Sequence, residues 1–280
     1  MKVRAWVFWR PACRADEARV GRDGTLGAAD EAEWAVASEE RAALALARAV
    51  AGDAVEVISW APEEAEPTLR QAFGFGARRV WRVAEPAVVE DDVVATARGL
   101  VEATKVASAA AAAVAGNNAA DDGDETGNAG DAGDAGIQEV LFFGPGSFDY
   151  RRGAVGPAVA GVLGCPFCDG VTDVTQILAL LERPERQDWS SSGRRAAVVV
   201  AGTDAPQPPK PSVIALARTA GRAIDTLSLT GEGARTAQAT VRVTGRESVV
   251  PRRRIGEVLP ENPEEAVHLL ISRLRERRVF

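Results

Sequence analysis

The sequence predicts an α/β fold, a mostly parallel sheet with helices on both faces. Two observations carry that prediction. Short runs rich in Val, Trp, Phe and Ala recur along the chain, at Val3–Trp9, Ala54–Trp60, Arg79–Val83, Ile137–Phe143 and Arg195–Ala201. Stretches with helical apolar spacing lie between them, and strands that alternate with helices of about 10–15 residues imply βαβ units. At 280 residues the chain is long enough for one large α/β domain or two small ones.

The elements follow in order. Val3–Trp9 is the first strand, and a polar, Gly-containing loop follows from Pro11 to Gly27. A helix is expected over Ser38–Ala49, with Ser38 as N-cap and Glu39 and Glu40 complementing the positive end of the helix dipole. Its apolar stripe is Ala43, Leu46, Ala47 and Val50, at i, i+3, i+4, i+7. The second strand ends before Pro62, a helix over Pro67–Phe75 leads through Gly76 into the third, and another helix runs from Asp91 to Ala107. Residues 109–136 are almost wholly Ala, Gly, Asn and Asp, and are expected to form a disordered insert whose alanine run extends the preceding helix. After the strand ending at Phe143, a helix is expected over Gly153–Leu163. Residues 204–211 are Pro-rich and read as an extended arm, and Asn262-Pro263-Glu264-Glu265 starts a closing helix. The division expected is a nucleotide-binding-like α/β domain over 1–203 and, over 204–280, a partner-binding arm with a C-terminal strand and helix.

Composition excludes several function classes. A net charge of −7 argues against a nucleic-acid partner, because phosphate binding rests on Lys and Arg. No stretch approaches the roughly 18 consecutive apolar residues of a membrane span. The N-terminus lacks the apolar run and small-residue cleavage site of a signal peptide, so the location expected is cytoplasmic. The single histidine, His268, lies in the closing helix, where a helix-surface role is expected, and most histidine-dependent hydrolase and metal chemistry is set aside with it. Cys165 and Cys168 form a C-x-x-C, and Cys13 is the third cysteine. The pair reads either as a redox dithiol or half of a metal site, or as a turn in which two positions are cysteine. The second reading is preferred, because the motif follows a helix. Arg252, Arg253 and Arg254, with Arg273, Arg275, Arg277 and Arg278, form either a solvated surface or a contact for an acidic partner.

In such sheets ligands bind beyond the carboxyl ends of the strands, so the loops after Trp9, Trp60 and Phe143 are where a site belongs. The loop after Phe143 is the leading candidate. Its glycines let backbone N–H groups approach an anion, the following helix offers its positive end, and Arg151 and Arg152 add charge. The alternative is an ordinary strand-to-helix turn. A phosphate loop of the S-G-G-x-D-S kind after strand one is absent; the residues there are Arg10-Pro11-Ala12-Cys13-Arg14.

Read in order, these pieces resemble the electron transfer flavoprotein β-subunit family. Ile58-Ser59-Trp60-Ala61-Pro62, then Thr68-Leu69-Arg70-Gln71-Ala72 and Phe75-Gly76-Ala77-Arg78-Arg79, resemble its second βαβ unit. Gly144 through Gly156, ending Leu163-Gly164-Cys165-Pro166, resembles without a gap the family's loop and helix ending L-G-x-P. Ala197–Val200, Pro211–Ala217 and the closing helix resemble further segments.

The resemblance implies a Rossmann-like fold of the adenine nucleotide alpha hydrolase-like kind. It further implies a heterodimer with an electron transfer flavoprotein α subunit that carries most of a shared FAD. AMP would sit in the chain's own nucleotide fold, dehydrogenases would be the electron donors, and this subunit would perform no bond chemistry itself. The cofactor-binding positions it implies are Val7, Trp60, Gly144, Gly146, Ser147, Asp149, Arg152, Gly153, Ala154, Val155 and Gly156. At three of them the family's polar Asn-Gln-Thr side chains are Gly153, Ala154 and Val155, so only backbone binding survives there. Trp60 replaces a small residue and either stacks on adenine or fills the pocket. The alternative function is a divergent nucleotide-binding or structural subunit that has lost AMP and electron transfer.

Overall fold

The structure, a computed structural model, describes residues 2–13, 18–20, 26–28, 34–84, 92–119, 137–145, 153–182, 195–229, 260 and 262–276. The chain divides into two units, Met1–Arg246 and Glu247–Phe280.

In the first unit, β1 (Lys2–Trp9), β6 (Val55–Trp60), β7 (Arg79–Val83), β8 (Ile137–Phe143), β9 (Phe167–Val171), β10 (Arg195–Ala201) and β11 (Asp225–Leu227) form one sheet. The strand order is β11-β7-β6-β1-β8-β10-β9, and every pairing is parallel. Four short strands, β2 (Ala12–Cys13), β3 (Ala18–Val20), β4 (Leu26–Ala28) and β5 (Trp34–Ala35), pair as two small antiparallel ribbons. The large sheet is the expected parallel α/β architecture.

Both faces of that sheet are covered, and the alternation along β1 shows how. Ala5, Val7 and Trp9 face one core with Leu44, Leu46 and Ala47 of α1 (Ser38–Ala51), Leu69 of α2 (Glu66–Leu69), Phe73 of α3 (Gln71–Gly74) and Ile177 and Leu180 of α6 (Val174–Leu181). Trp6 and Phe8 face the other core with Ala97, Leu100 and Val101 of α4 (Val93–Ala119) and Val159 and Leu163 of α5 (Val155–Leu163). Strands buried on both sides have no polar face to show, which is why they read as near-continuous apolar runs.

Several expectations need correction. Ser38 is the first helical residue of α1, and the N-cap is the extended Ala37. Alanine has no side-chain oxygen with which to cap a helix. The cap bond comes instead from Glu40, whose Oε2 accepts from the Ala37 N–H at 3.1 Å. The helix expected over Pro67–Phe75 is two short helices, α2 and α3, that part at Arg70, and a 3-10 turn at Glu63–Ala65 precedes them. As expected, the alanine run extends α4, which continues to Ala119, and 120–136 lie outside the described residues. The arm runs without helix or strand through Ser212, as expected of its Pro-rich 204–211 stretch, and the Ser212 Oγ accepts from the Ala215 N–H and starts α7 (Val213–Thr219). β9 and α6 come from stretches for which no element is expected.

The arm is anchored within its unit. β11 pairs with β7 at the sheet edge. Arg222 stacks its guanidinium 4.0 Å from the Phe73 ring and donates to the Arg78 carbonyl at 2.6 Å. A Cβ on Gly74 would meet Leu216 at 2.9 Å, so the missing side chain lets α7 close on α3. On the outer side, Val213 and Ile214 are 82% and 66% exposed.

The second unit holds α8 (Pro263–Glu276) among its described residues. Asn262 Oδ1 accepts from the Glu264 N–H at 3.0 Å, with Glu264 and Glu265 in the first turn and Arg273 and Arg275 in the last, so both helix ends are matched to the dipole. None of its residues is buried, and His268 is exposed on it as expected.

Candidate functional site

The chain runs from β1 outward through β6 to β7, then returns to place β8 on the other side of β1. The carboxyl ends of β1 and β8 are therefore the topological switch point, where the connections diverge and leave a crevice. Of the loops named above, those after Trp9 and Phe143 leave from these two ends, and Trp60 ends the adjacent β6.

The β1 side is held by Glu40. This carboxylate is 4% exposed; Oε1 accepts from the Arg10 N–H and Oε2 from the Ala37 N–H, each at 3.1 Å. The Trp9 indole N–H donates to the Glu40 carbonyl at 3.1 Å. One residue at the start of α1 thus fixes the path of the chain as it leaves β1.

The β8 side is the Gly144–Val155 connection. Gly144 is buried at the strand end. Gly153 adopts φ +69°, a left-handed conformation that suits glycine, and is exposed. Ala154 precedes α5 and supplies no side-chain cap. Gly156, in the first turn, is buried, and a Cβ there would meet Val200 Cγ2 at 2.5 Å. The missing side chain brings the start of α5 down onto β10. Beneath it, Phe8 and Phe143 stack with centroids 4.4 Å apart and planes 9° from parallel.

The implied positions are thus distributed unevenly. Gly144, Gly153, Ala154, Val155 and Gly156 come together at the switch point, with Trp60 on the neighbouring strand end. Trp60 is partly buried and packs against the α4-side core. Val7 lies fully buried in the α1-side core and contributes packing. Gly146, Ser147, Asp149 and Arg152 lie outside the described residues, as does Arg151. Glu40 is the residue that sequence reasoning used only as a helix-dipole partner. Its signal was available as a glutamate at the third helical position, the place from which a carboxylate reaches back to the cap.

At the crevice, Gly153 leads into the first turn of α5, which brings the positive end of the helix dipole there. A phosphate or similar anion fits that chemistry through the backbone alone, since Gly153, Ala154 and Val155 add no polar side chain. Among the described residues, no group of three or more His, Cys, Asp or Glu is placed to hold a metal ion.

The C-x-x-C is not a dithiol site in this fold. Cys165 packs against the α4-side core and Cys168 against the α1-side core, so the two thiols lie on opposite faces of the sheet, and both are free. Burial pushes the Cys165 thiol up to about 12, against a weak opposing backbone hydrogen bond, far from a reactive thiolate. Cys165 follows Gly164, which ends α5 in a left-handed conformation at φ +63°, and Phe167 begins β9. The turn reading holds.

Fold and site together define an open parallel α/β sheet of Rossmann-like architecture, with a glycine-containing strand-to-helix connection at its switch point. No family model matches the chain, and no curated protein matches it. Among the described residues, no helix is long and apolar enough to cross a membrane.

Proposed function

We propose that this chain is an electron-transfer subunit of the electron transfer flavoprotein β kind. In this reading it adopts an adenine nucleotide alpha hydrolase-like fold and pairs with an FAD-carrying α subunit in the cytoplasm. It completes the flavin site, passes electrons from dehydrogenases to an acceptor, and itself breaks no bond. One observation carries the reading: the ungapped segment 144–166 that bears the resemblance coincides with the β8–α5 unit at the switch point, the place where such sheets bind nucleotides. Its Leu163-Gly164-Cys165-Pro166 close falls on a left-handed helix end, as an L-G-x-P turn requires. The exposed Val213 and Ile214 on the anchored arm suit the partner contact that the resemblance assigns to that segment.

A second reading is favoured by two observations. Ala154 gives the phosphate no side-chain oxygen, and Trp60 packs onto the core cluster where an adenine would need room. On these grounds the subunit has lost AMP and keeps a structural role in its complex.

One preparation separates the two. The protein is co-purified from its native cell, an absorption spectrum is taken, and nucleotides released on denaturation are identified by mass. The first reading expects a yellow complex with a second subunit, a flavin band that bleaches with dithionite, and AMP in the released fraction. The second expects a complex with a partner but no AMP. A colourless protein that acquires FAD from no candidate partner sinks the electron-transfer reading.

A further inference from the structure

The helix α8 carries an apolar stripe that is buried at none of its positions. Ala266, Val267, Leu270, Ile271 and Leu274 recur at the spacing that lines one side of a helix. Val267 is 54% exposed and Leu270 is 45% exposed, while Ala266, Ile271 and Leu274 are half-buried. A helix of about 12–15 residues is marginal in water by itself, and an amphipathic one is held by whatever covers its apolar side.

The charges beside the stripe select the cover. Glu264 and Arg275 are both exposed and stand eleven positions apart. That spacing is about three turns, so the two lie on the same flank of the stripe, about 16 Å from each other along the axis. In the same last turn, Arg273 pairs within the helix with Glu276 at 2.9 Å. A flank with an acid at its start and a base at its end is complementary to itself when reversed. A second α8 laid antiparallel sets Arg275 against Glu264 at both ends of the contact, and the opposed helix dipoles add to the attraction. A parallel copy brings Glu264 level with Glu264 and Arg275 level with Arg275, which is repulsive. A uniformly acidic or uniformly basic partner satisfies one end and is repelled at the other.

We propose that α8 is a self-association surface, through which two copies of this chain pair as antiparallel helices about a two-fold axis beside Leu270. That axis is the one that puts Glu264 level with Arg275, and each copy presents the same patch to the other. The acidic partner considered for the terminal arginines is, for Arg275, Glu264 of a second copy. Five apolar side chains from each copy make a contact below the standard interface size, so the association is weak and depends on concentration. It rests on α8 alone and stands apart from the flavoprotein reading.

The test is sedimentation equilibrium of the purified full chain at concentrations rising to about 100 μM, which covers the range expected of so small a contact. The wild type is expected to dimerise reversibly. Leu270→Glu, which sets two carboxylates on the axis, should weaken the dimer at least about a hundredfold. Glu264→Arg and Arg275→Glu should each weaken it about tenfold alone, as like charges replace both pairs. Mixed together, the two variants should regain the wild-type affinity, because the mixed pair has opposite charges at both ends. Orientation is read by mild oxidation: Leu270→Cys should link to its mate and Glu264→Cys should not. A wild type that stays monomeric throughout overturns the proposal and means that the stripe is covered within its own chain. A dimer untouched by Leu270→Glu overturns it too, as does a mixture that does not recover, or a Glu264→Cys protein that links more readily than Leu270→Cys.

Discussion

Gly153 and Gly156 stand three residues apart and are needed for opposite reasons. Gly153 is exposed, and a Cβ there meets nothing within 4 Å; its requirement is the positive φ alone. Gly156 has an ordinary helical backbone and no space, with Val200 2.5 Å from where its Cβ would be. Gly153→Ala should therefore cost about 1–2 kcal/mol through backbone conformation. Gly156→Ala should cost about 1–3 kcal/mol through overpacking, and it alone should tilt α5 away from β10. Urea denaturation gives both costs; near-ultraviolet circular dichroism, unmoved in the first variant and altered in the second, separates the causes. Both residues read from sequence as part of a helix start beside a ligand loop. Their placement at the strand end was legible, but the split between a conformational and a packing role was not, because it depends on Val200, 44 positions away in the chain. The cysteines teach the reverse. Their spacing suggested partnership, and the pleat parts them. At pH 8 iodoacetamide should modify Cys165 very slowly, with a rate still rising above pH 10, since its thiol stands near 12. A reductant should leave the melting temperature unchanged. Fast labelling of Cys165 at neutral pH would contradict this picture.

Among the elements, those with long apolar runs were legible to within a residue or two. β1, β6, β7, β8 and β10 match because burial on both faces makes each run conspicuous. β9 was not visible. It is an edge strand with exposed Asp169 and Gly170, and the left-handed Gly170 lies where its register with β10 shifts. α6 did carry a signal that went unread: Asp173 accepts from the Thr175 N–H at 2.6 Å and Gln176 reaches back to the Asp173 N–H at 3.2 Å, a capping box ahead of Ile177 and Leu180. The arm shows the limit of composition. Its prolines marked an extended segment correctly as far as Ser212, but its anchoring depends on Arg222 finding Phe73 and the Arg78 carbonyl across the chain. Arg222→Ala should free the arm without unfolding the sheet. Thermolysin cleavage within 204–224 should accelerate several-fold while the melting temperature moves little. Unchanged cleavage would mean that β11 and the α3–α7 contact suffice.

At the scale of the molecule, the two ends of the sheet do different work. The carboxyl ends present the glycine connection and the α5 start; the amino ends bury Glu56 and Glu139 beneath α4. The fold class was legible because the alternation of strand and helix is a property of the whole chain. The loop after Phe143 was legible as a place for a site because the rule that ligands lie beyond the carboxyl ends of strands needs only the strand assignments; the strand order that puts it at the switch point was not legible. Nor was the burial of Glu139, since a lone acid in an apolar strand gives no hint of what will cover it. The strand order also bears on how the chain is made. During synthesis β7 is the outermost strand on its side, with a row of backbone donors and acceptors unpaired beside Val80 and Trp81. It stays so through the making of α4, β8, β9 and β10, and is capped only when Asp225–Leu227 arrives from the far end of the sheet. A nascent or truncated chain that stops short of Asp225 carries nearly the whole core and an open flank, the template on which polypeptides join edge to edge.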